Sequence, residues 1–353
     1  MCALHVEQSS DPLLFAIQQL IQGLSVSAET VVEALLAAIE CAPSEQTAAF
    51  LALLEATHPT AETVAAMTLA LRKQMIRVSC DQPVLDIVGT GGDGSNTVNI
   101  STAAALVAST CGAPTVKHGN RAVSSRCGSA DFIEALKIPM ASDPKAIRKQ
   151  LDEHRFAFCF APLFHPALRK LTSARKGLGV RTVINLMGPL LNPAGAQYLL
   201  LGVGDPANVR IVAEVVTLIG VQRAYVFHSC GLDELSGLGT AEGYLIEGDL
   251  MTEQKLVPEQ CGIGACSLEA LAGGDAETNK QLVLQALGEY HSPISDVIAF
   301  NAGMGLHLSG HANTIIEGVE QARNAMETGA VLAHIDHMCR LYAADLTAGE
   351  SIS

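Results

Sequence analysis

Between Asp86 and Asp131 the chain carries four short stretches suited to holding phosphate: Asp86-Ile-Val-Gly-Thr-Gly-Gly-Asp-Gly94, Asn99-Ile-Ser-Thr102, Lys117-His-Gly-Asn-Arg121 and Ser124-Ser-Arg-Cys-Gly-Ser-Ala-Asp131. Glycine lets main-chain N–H groups come close to an anion, and Ser101 and Thr102 fall where a helix is expected to begin, its positive dipole end toward the loop. Lys117 and Arg121 add charge-assisted donors and supply electrostatic stabilisation rather than acid or base catalysis. Asn120, between them, can accept from an amine while its neighbours hold phosphate. About a hundred residues on, Asp233-Glu234 offers two adjacent carboxylates of the kind that bind magnesium, and Ser101 can complete that shell. The implied chemistry is magnesium-assisted and acts on a phosphorylated sugar.

Each motif has a plainer explanation. Gly89-Thr-Gly-Gly-Asp-Gly94 formally satisfies the dinucleotide fingerprint. In that fold the helix opens inside the motif and an acidic residue ends the next strand. Here the helix waits until Ser101, the next strand ends in Lys117-His118, and Asp93 would repel a pyrophosphate unless a metal or a hydroxyl engages it. Lys117-His-Gly-Asn-Arg121 could be a solvated loop, but Ser124, Ser125, Gly128 and Ser129 follow it with small hydroxyls and no bulk, as a phosphate pocket needs. An acidic pair is usually an exposed loop; Asp233-Glu234 gains weight from following the strand Val226-Phe-His228.

Composition narrows the classes. The 353 residues carry a net charge of −14, which argues against a broad nucleic-acid footprint, and 4% aromatic content with no Trp removes stacking platforms for single strands. Ten cysteines occur without a CxxC pair, and Cys261 and Cys266 lack histidines at zinc-finger spacing, so buried thiols in a reducing cytoplasm are expected. No signal peptide is evident at Met1-Cys-Ala-Leu-His, and no apolar run is long enough to cross a bilayer, so a cytoplasmic protein with no membrane partner is expected.

The elements that must position these residues follow from periodicity. The first eighty residues look wholly helical: Asp11-Pro12 opens a helix with Leu13, Ile17, Leu20 and Leu24 on one face, Ser27 caps the next, a third runs over Ser44–Glu55, and a fourth from Thr60 carries Val64, Met67, Leu71 and Met75. A bundle this small is expected to use part of its surface as a dimer interface. After Gln82-Pro83, strands and helices alternate: strands at 84–88, 114–117, 156–160, 198–203, 224–228 and 244–247, with helices at 101–111, 143–154 and 206–220. The expected fold is therefore α/β, a small N-terminal α-helical domain (1–80) plus a large α/β domain (81–353) whose mainly parallel central sheet is flanked by helices. The segment 163–191 has no strand character and is expected to return to the helical domain. Ligands of such sheets bind at the carboxyl ends of the strands, where all of these motifs fall.

Taken together, the ordered set resembles the anthranilate phosphoribosyltransferase family of tryptophan biosynthesis. The resemblance extends over nearly the whole chain, through His165-Pro-Ala-Leu-Arg169, Arg181-Thr182, Asn185-Leu-Met-Gly-Pro-Leu-Leu-Asn-Pro193, Gly231-Leu-Asp-Glu234 and Asn301-Ala-Gly303. It implies a homodimer and transfer of phosphoribose from 5-phosphoribosyl 1-pyrophosphate to the amine of anthranilate, the second step from chorismate. By position it implies a phosphoribosyl pyrophosphate site of Gly89, Gly92, Asp93, Thr97, Asn99, Ile100, Ser101, Thr102, Lys117, His118, Gly119, Asn120, Arg121, Ala122, Val123, Ser124, Ser125 and Ser129. It implies magnesium, as two Mg2+ ions per site, at Ser101, Asp233 and Glu234. Anthranilate would meet Gly89, Asn120 and Arg175, with Arg175 on its carboxylate and His118 along its route; no spacing rule singles out Arg175. The chain departs from the commoner pattern at Lys137, where Gly often ends the Glu-Ala-Leu helix, in the short His228-Ser-Cys-Gly231 turn, and at Met304-Gly305, where two alanines are typical. A pyrimidine-nucleoside phosphorylase would show Lys-His-Ser-Thr-Gly-Gly in place of Val88-Gly-Thr-Gly-Gly92, and a non-catalytic relative that binds nucleic acid fits poorly with the negative charge.

Overall fold

The computed structural model describes residues 11–122, 126–288 and 291–350. In chain order the elements are α1 (Pro12–Ile21), α2 (Ala28–Glu40), α3 (Ser44–Ala56), α4 (Ala61–Gln74), β1 (Leu85–Gly89), α5 (Ile100–Thr110), β2 (Thr115–Gly119), α6 (Ser129–Ala135), α7 (Pro144–His154), β3 (Phe156–Phe160), α8 (Ala161–Phe164), α9 (Pro166–Lys170), α10 (Thr172–Leu178) and α11 (Val183–Met187). They continue with β4 (Tyr198–Gly202), α12 (Val209–Leu218), β5 (Arg223–Ser229), β6 (Ala241–Glu247), β7 (Leu250–Leu256), α13 (Ala276–Ala286), α14 (Pro293–Leu308), α15 (Ile315–Glu327) and α16 (Ala330–Glu350). The chain divides into two compact units. One takes the chain up to Met75 together with His165–Leu191, and the other takes Ile76–Phe164 and everything from Asn192 on.

In the helical unit α1, α2 and α4 start by side-chain capping. Asp11 accepts from the Leu13 amide at 2.9 Å, and Ser27 and Thr60 cap α2 and α4 in the same way. Leu13, Ala16, Ile17 and Leu20 form the buried stripe of α1, and Val64, Met67 and Leu71 that of α4. The helical period places Met75 on that last stripe, but α4 ends at Gln74 and Met75 turns extended as its C-cap, where the chain leaves the unit. In the same unit α10 packs on α3, and α9 packs on α2 and α4.

The second unit is built on a seven-stranded sheet of order β3-β2-β1-β4-β5-β6-β7. Pairings from β3 through β5 are parallel, and β5–β6 and β6–β7 are antiparallel. The sheet is thus mainly parallel, with an antiparallel edge made possible by Gly248 at φ 61, the hairpin turn that brings β7 back along β6. From β1 the chain passes to β2 on one side, while β4 pairs on the other, so the carboxyl end of β1 lies at the topological switch point. Residues along β1 alternate as a buried strand should: Leu85 and Ile87 join the core with α5 and α14, whereas Val84, just before it, joins Val116, Ile147 and Leu151 beneath α7. Helix α5 is buried nearly all round, and its run of alanines lets α14 approach. Gly305 of α14 faces β1 so closely that a Cβ there would sit 2.9 Å from Ile87 Cδ1, which accounts for a glycine at this position.

Candidate active site

Leaving β1 at Gly89, the chain makes a loop that only glycine makes readily: Gly91, Gly92 and Gly94 have φ of 67, 80 and 74. Thr90 fastens the loop to the end of β4, its amide donating to Gly202 O at 2.9 Å and its hydroxyl accepting from the Gly204 amide at 3.0 Å. Asp93 folds back locally, accepting from the Ser95 amide and hydroxyl at 3.0 and 2.9 Å. The following stretch pairs with a distant segment, Thr97 bridging to Ala272, and Asn99 caps α5. Ile100, Ser101 and Thr102 therefore open that helix.

The acidic pair lies against this loop. Asp233 Oδ2 accepts from the Gly91 amide at 2.6 Å, and Glu234 Oε1 from the Ser101 amide at 3.1 Å. The approach is close enough that a Cβ on Gly89 would fall on the Asp233 carboxylate and one on Gly202 on its backbone carbonyl. Burial, then the charge of Asp93, pushes Asp233 above the usual carboxylate range; burial, then Asp233 itself, does the same to Glu234. A cation would relieve both. Among the described residues no group of three or more His, Cys, Asp or Glu is placed to hold a metal. An oxygen-only pair of carboxylates suits an ion such as magnesium, which takes its other oxygens from water and substrate phosphates.

At the end of β2, Lys117 is only 2% exposed and its Nζ donates to Ile87 O at 2.7 Å, which brings the ammonium next to β1. Burial lowers its affinity for the proton, and Asp86, Glu234 and Asp233 oppose that effect. His118 is buried beside it. Gly119 leaves room for the Ser129 hydroxyl, which a Cβ would meet, and that hydroxyl accepts from the Asn120 amide at 3.2 Å. Arg121 takes another direction. Its guanidinium pairs with Asp131 at 2.8 Å and Glu134 at 2.7 Å, which raise its already high pKa, and it lies 5.7 Å over the Phe160 ring. Asp131 also accepts from the Ala122 and Gly128 amides at 2.9 and 3.0 Å, pinning both ends of this loop. Val123, Ser124 and Ser125 lie outside the described residues.

The large unit thus brings Gly89, Gly92, Asp93, Ser101, Lys117, Asp233 and Glu234 toward the ends of β1, β2, β4 and β5. Arg175 belongs to the helical unit, on α10, where burial lowers its pKa. Three side chains support the site in ways that the sequence does not announce. Asn301, buried in α14, accepts from the Leu235 amide at 3.1 Å and donates to Leu235 O and Val297 O at 2.8 Å each, fixing the residue after Glu234. His228 joins Val203 O at 2.7 Å and the Gly231 amide at 3.0 Å, setting the turn before Asp233. Asn279 of α13 donates to Asn99 Oδ1 at 2.8 Å. The family motif Asn301-Ala-Gly303 is a signal for the first and the His228-Ser-Cys-Gly231 turn for the second; the third contact joins residues with no pattern between them.

Residues 81–332 match the family described as "Glycosyl transferase family, a/b domain". Curated relatives named anthranilate phosphoribosyltransferase include one from Chlamydia felis, 42% identical over 81% of this chain and 84% of its own length, and one from Thermomicrobium roseum, 40% identical over 91% and 94%. Among solved structures, the anthranilate phosphoribosyltransferase of Thermus thermophilus superposes with a TM-score of 0.86 at 37% identity, covering 93% of this chain and 99% of that one. The Saccharomyces cerevisiae enzyme in complex with PRPP and Mg gives 0.86 at 27% identity, covering 96% and 100%.

Proposed function

The chain belongs to the anthranilate phosphoribosyltransferase family, and we infer from that membership and from its site that it transfers the phosphoribosyl group of 5-phosphoribosyl 1-pyrophosphate to the amine of anthranilate. The products are N-(5-phosphoribosyl)anthranilate and pyrophosphate. One observation carries the assignment at the level of the site: the glycine-loop amide of Gly91 and the α5 amide of Ser101 meet the carboxylates of Asp233 and Glu234 at 2.6 and 3.1 Å, so a diphosphate over the loop would lie next to an acidic cation seat.

Asp233, Glu234 and Ser101 would hold magnesium, as two ions per site, which would supply charge neutralisation for the departing pyrophosphate. The chain's own groups position the rest. Gly89 to Asp93, with Thr97, Asn99, Ile100, Ser101 and Thr102, cradle the sugar phosphates by main-chain N–H groups and the start of α5. Lys117 places a buried ammonium near the same anion, and His118, Asn120 and Ser129 border the ribosyl moiety. The C1–O bond to pyrophosphate breaks as the anomeric carbon gains oxocarbenium character; the amine attacks from the opposite face, the C1–N bond forms and one proton leaves the nitrogen. An aniline nitrogen is hardly protonated near neutral pH, so no strong general base is required, and positioning with electrostatic stabilisation suffices. Arg175 takes the anthranilate carboxylate, a partner that offsets the burial of its guanidinium.

The helical unit is the dimerisation surface in this assignment, with Ile21 and Leu69 among its exposed large apolar side chains, 68% and 41% accessible. Loss of anthranilate fluorescence on mixing with phosphoribosyl pyrophosphate and magnesium, each omitted in turn, tests the activity. Arg175→Ala should raise the anthranilate KM about tenfold and leave the other substrate's near its original value. Full turnover with another aromatic amine and none with anthranilate would reject the assignment, and small-angle scattering from a monomer would reject the dimer.

A further inference from the structure

The strands that lead into the two phosphate loops separate as they reach them. The β1–β2 ladder has the single register pair Leu85↔Thr115, whereas β1–β4 and β2–β3 each run for five pairs. Side chains span the gap. From one side Lys117 Nζ donates to Ile87 O at 2.7 Å. Beside it Asn192 Nδ2 donates to both Asp86 Oδ2 and Val116 O, at 2.7 Å each, and its own Oδ1 accepts from the Ala194 amide at 2.9 Å. Asp86 is fully buried and Asn192 is 2% exposed, and besides Asn192 only the backbone of Ile87 and His118 offers the Asp86 carboxylate hydrogen bonds among the described residues. Keeping an ionised carboxylate in a core is unfavourable, and an amide at position 86 would accept the same bond from Asn192 without the charge. The charge itself therefore calls for an explanation, and Lys117, whose Nζ binds the carbonyl of the very next residue, Ile87, is the buried cation nearby.

We propose that Asp86 and Asn192 are positioning residues for Lys117: Asn192 sets the width of the β1–β2 gap, and Asp86 supplies, at neutral pH, the counter-charge for the ammonium when a cation has taken up the charges of Asp233 and Glu234. Neither touches substrate. The pair acts through the strand ends, and its effect falls on the phosphoribosyl pyrophosphate side of the reaction rather than on anthranilate. This rests on the assignment of the loops after β1 and β2 to phosphoribosyl pyrophosphate.

The test uses Asp86→Asn, Asn192→Ser and, as a reference, Lys117→Ala, each measured by steady-state kinetics for both substrates and by calorimetric titration with phosphoribosyl pyrophosphate and with inorganic pyrophosphate. Asp86→Asn is expected to weaken binding of both anions by about tenfold and to change the anthranilate KM by less than about twofold. Its thermal midpoint carries two opposed effects, relief of a buried carboxylate and loss of the counter-charge near Lys117. Asn192→Ser is expected to weaken the same two anions, and if Asp86→Asn fails to fold it decides the matter by the same criteria. Wild-type anion affinity in Asp86→Asn and Asn192→Ser, with Lys117→Ala impaired, overturns the proposal alone. Equal losses for both substrates with a lower thermal midpoint also overturn it, since a general packing defect would do that. Wild-type affinity in Lys117→Ala overturns the loop assignment itself and the proposal with it.

Discussion

The glycine loop after β1 and the acidic turn after β5 face one another, yet they are held in opposite ways. From Gly89 to Gly94 the conformation is set by backbone freedom, with three glycines at positive φ and Thr90 as the main tether. The turn from Cys230 to Leu235 is set from outside, by Asn301 of α14 behind Leu235 and by His228 of β5 under Gly231. One region yields to an anion and the other holds a pair of carboxylates against their own repulsion. A cradle for a diphosphate needs adaptable N–H donors, whereas a cation seat needs fixed oxygens.

If the fixed side carries the charge chemistry, Asp233→Ala should produce the largest loss, with kcat/KM falling roughly a hundredfold to a thousandfold in steady-state assays at saturating magnesium. Gly89→Ala attacks the seam between the regions, because the new methyl group would fall on the Asp233 carboxylate. About a hundredfold loss in kcat/KM is expected there with the fold retained by circular dichroism, and near-normal activity would mean that the seam has slack. Asn301→Ala removes three buried hydrogen bonds and should lower unfolding stability by about 2–4 kcal/mol in urea titrations.

Asp86 sharpens the comparison through pH. Burial raises its pKa to about 6, against the opposing influence of Lys117 and Asn192. Between the unfolded value near 3.8 and about 6 the folded state keeps a proton that the unfolded chain has lost, so this group's contribution to stability falls as pH rises through that window. Asp86→Asn lacks that term, so its stability relative to the parent should climb from pH 4 to pH 6 by up to about 3 kcal/mol; a constant difference across that range would show that Asp86 does not titrate there. The smallest effect is expected at Lys137, which ends α6 with φ 59, a conformation that explains the glycine common at this place. Lys137→Gly should stabilise the protein by about 1 kcal/mol or less, measurable as a raised thermal midpoint.

The same contrast decides what was legible in the sequence. The glycine loop, the start of α5 and Lys117-His118 are contiguous motifs whose physics is local, and the structure places them at strand ends as expected. Strand, loop and helix alternation likewise predicted β1 to β5 to within a residue or two, with β4 and β5 differing only at their ends. The supports of the acidic turn were legible only as the motifs Asn301-Ala-Gly303 and His228-Ser-Cys-Gly231; that Asn301 reaches Leu235, 66 positions away, follows from no periodicity. Nor was the orientation of Arg121 legible. Its motif placed it among phosphate donors, while Asp131 and Glu134, presented by the first turns of α6, draw its guanidinium toward themselves. The antiparallel edge went unread beyond Tyr244–Glu247 because β7 is largely exposed and its pattern of Thr, Glu, Gln and Lys carries little apolar alternation.

The most direct test is a crystal structure of this chain with phosphoribosyl pyrophosphate and magnesium. The diphosphate is expected within hydrogen-bond reach of the amides between Gly89 and Gly94, with a cation joining it to Asp233 and Glu234. A sugar diphosphate bound elsewhere, or a cation that leaves both carboxylates free, would contradict the account.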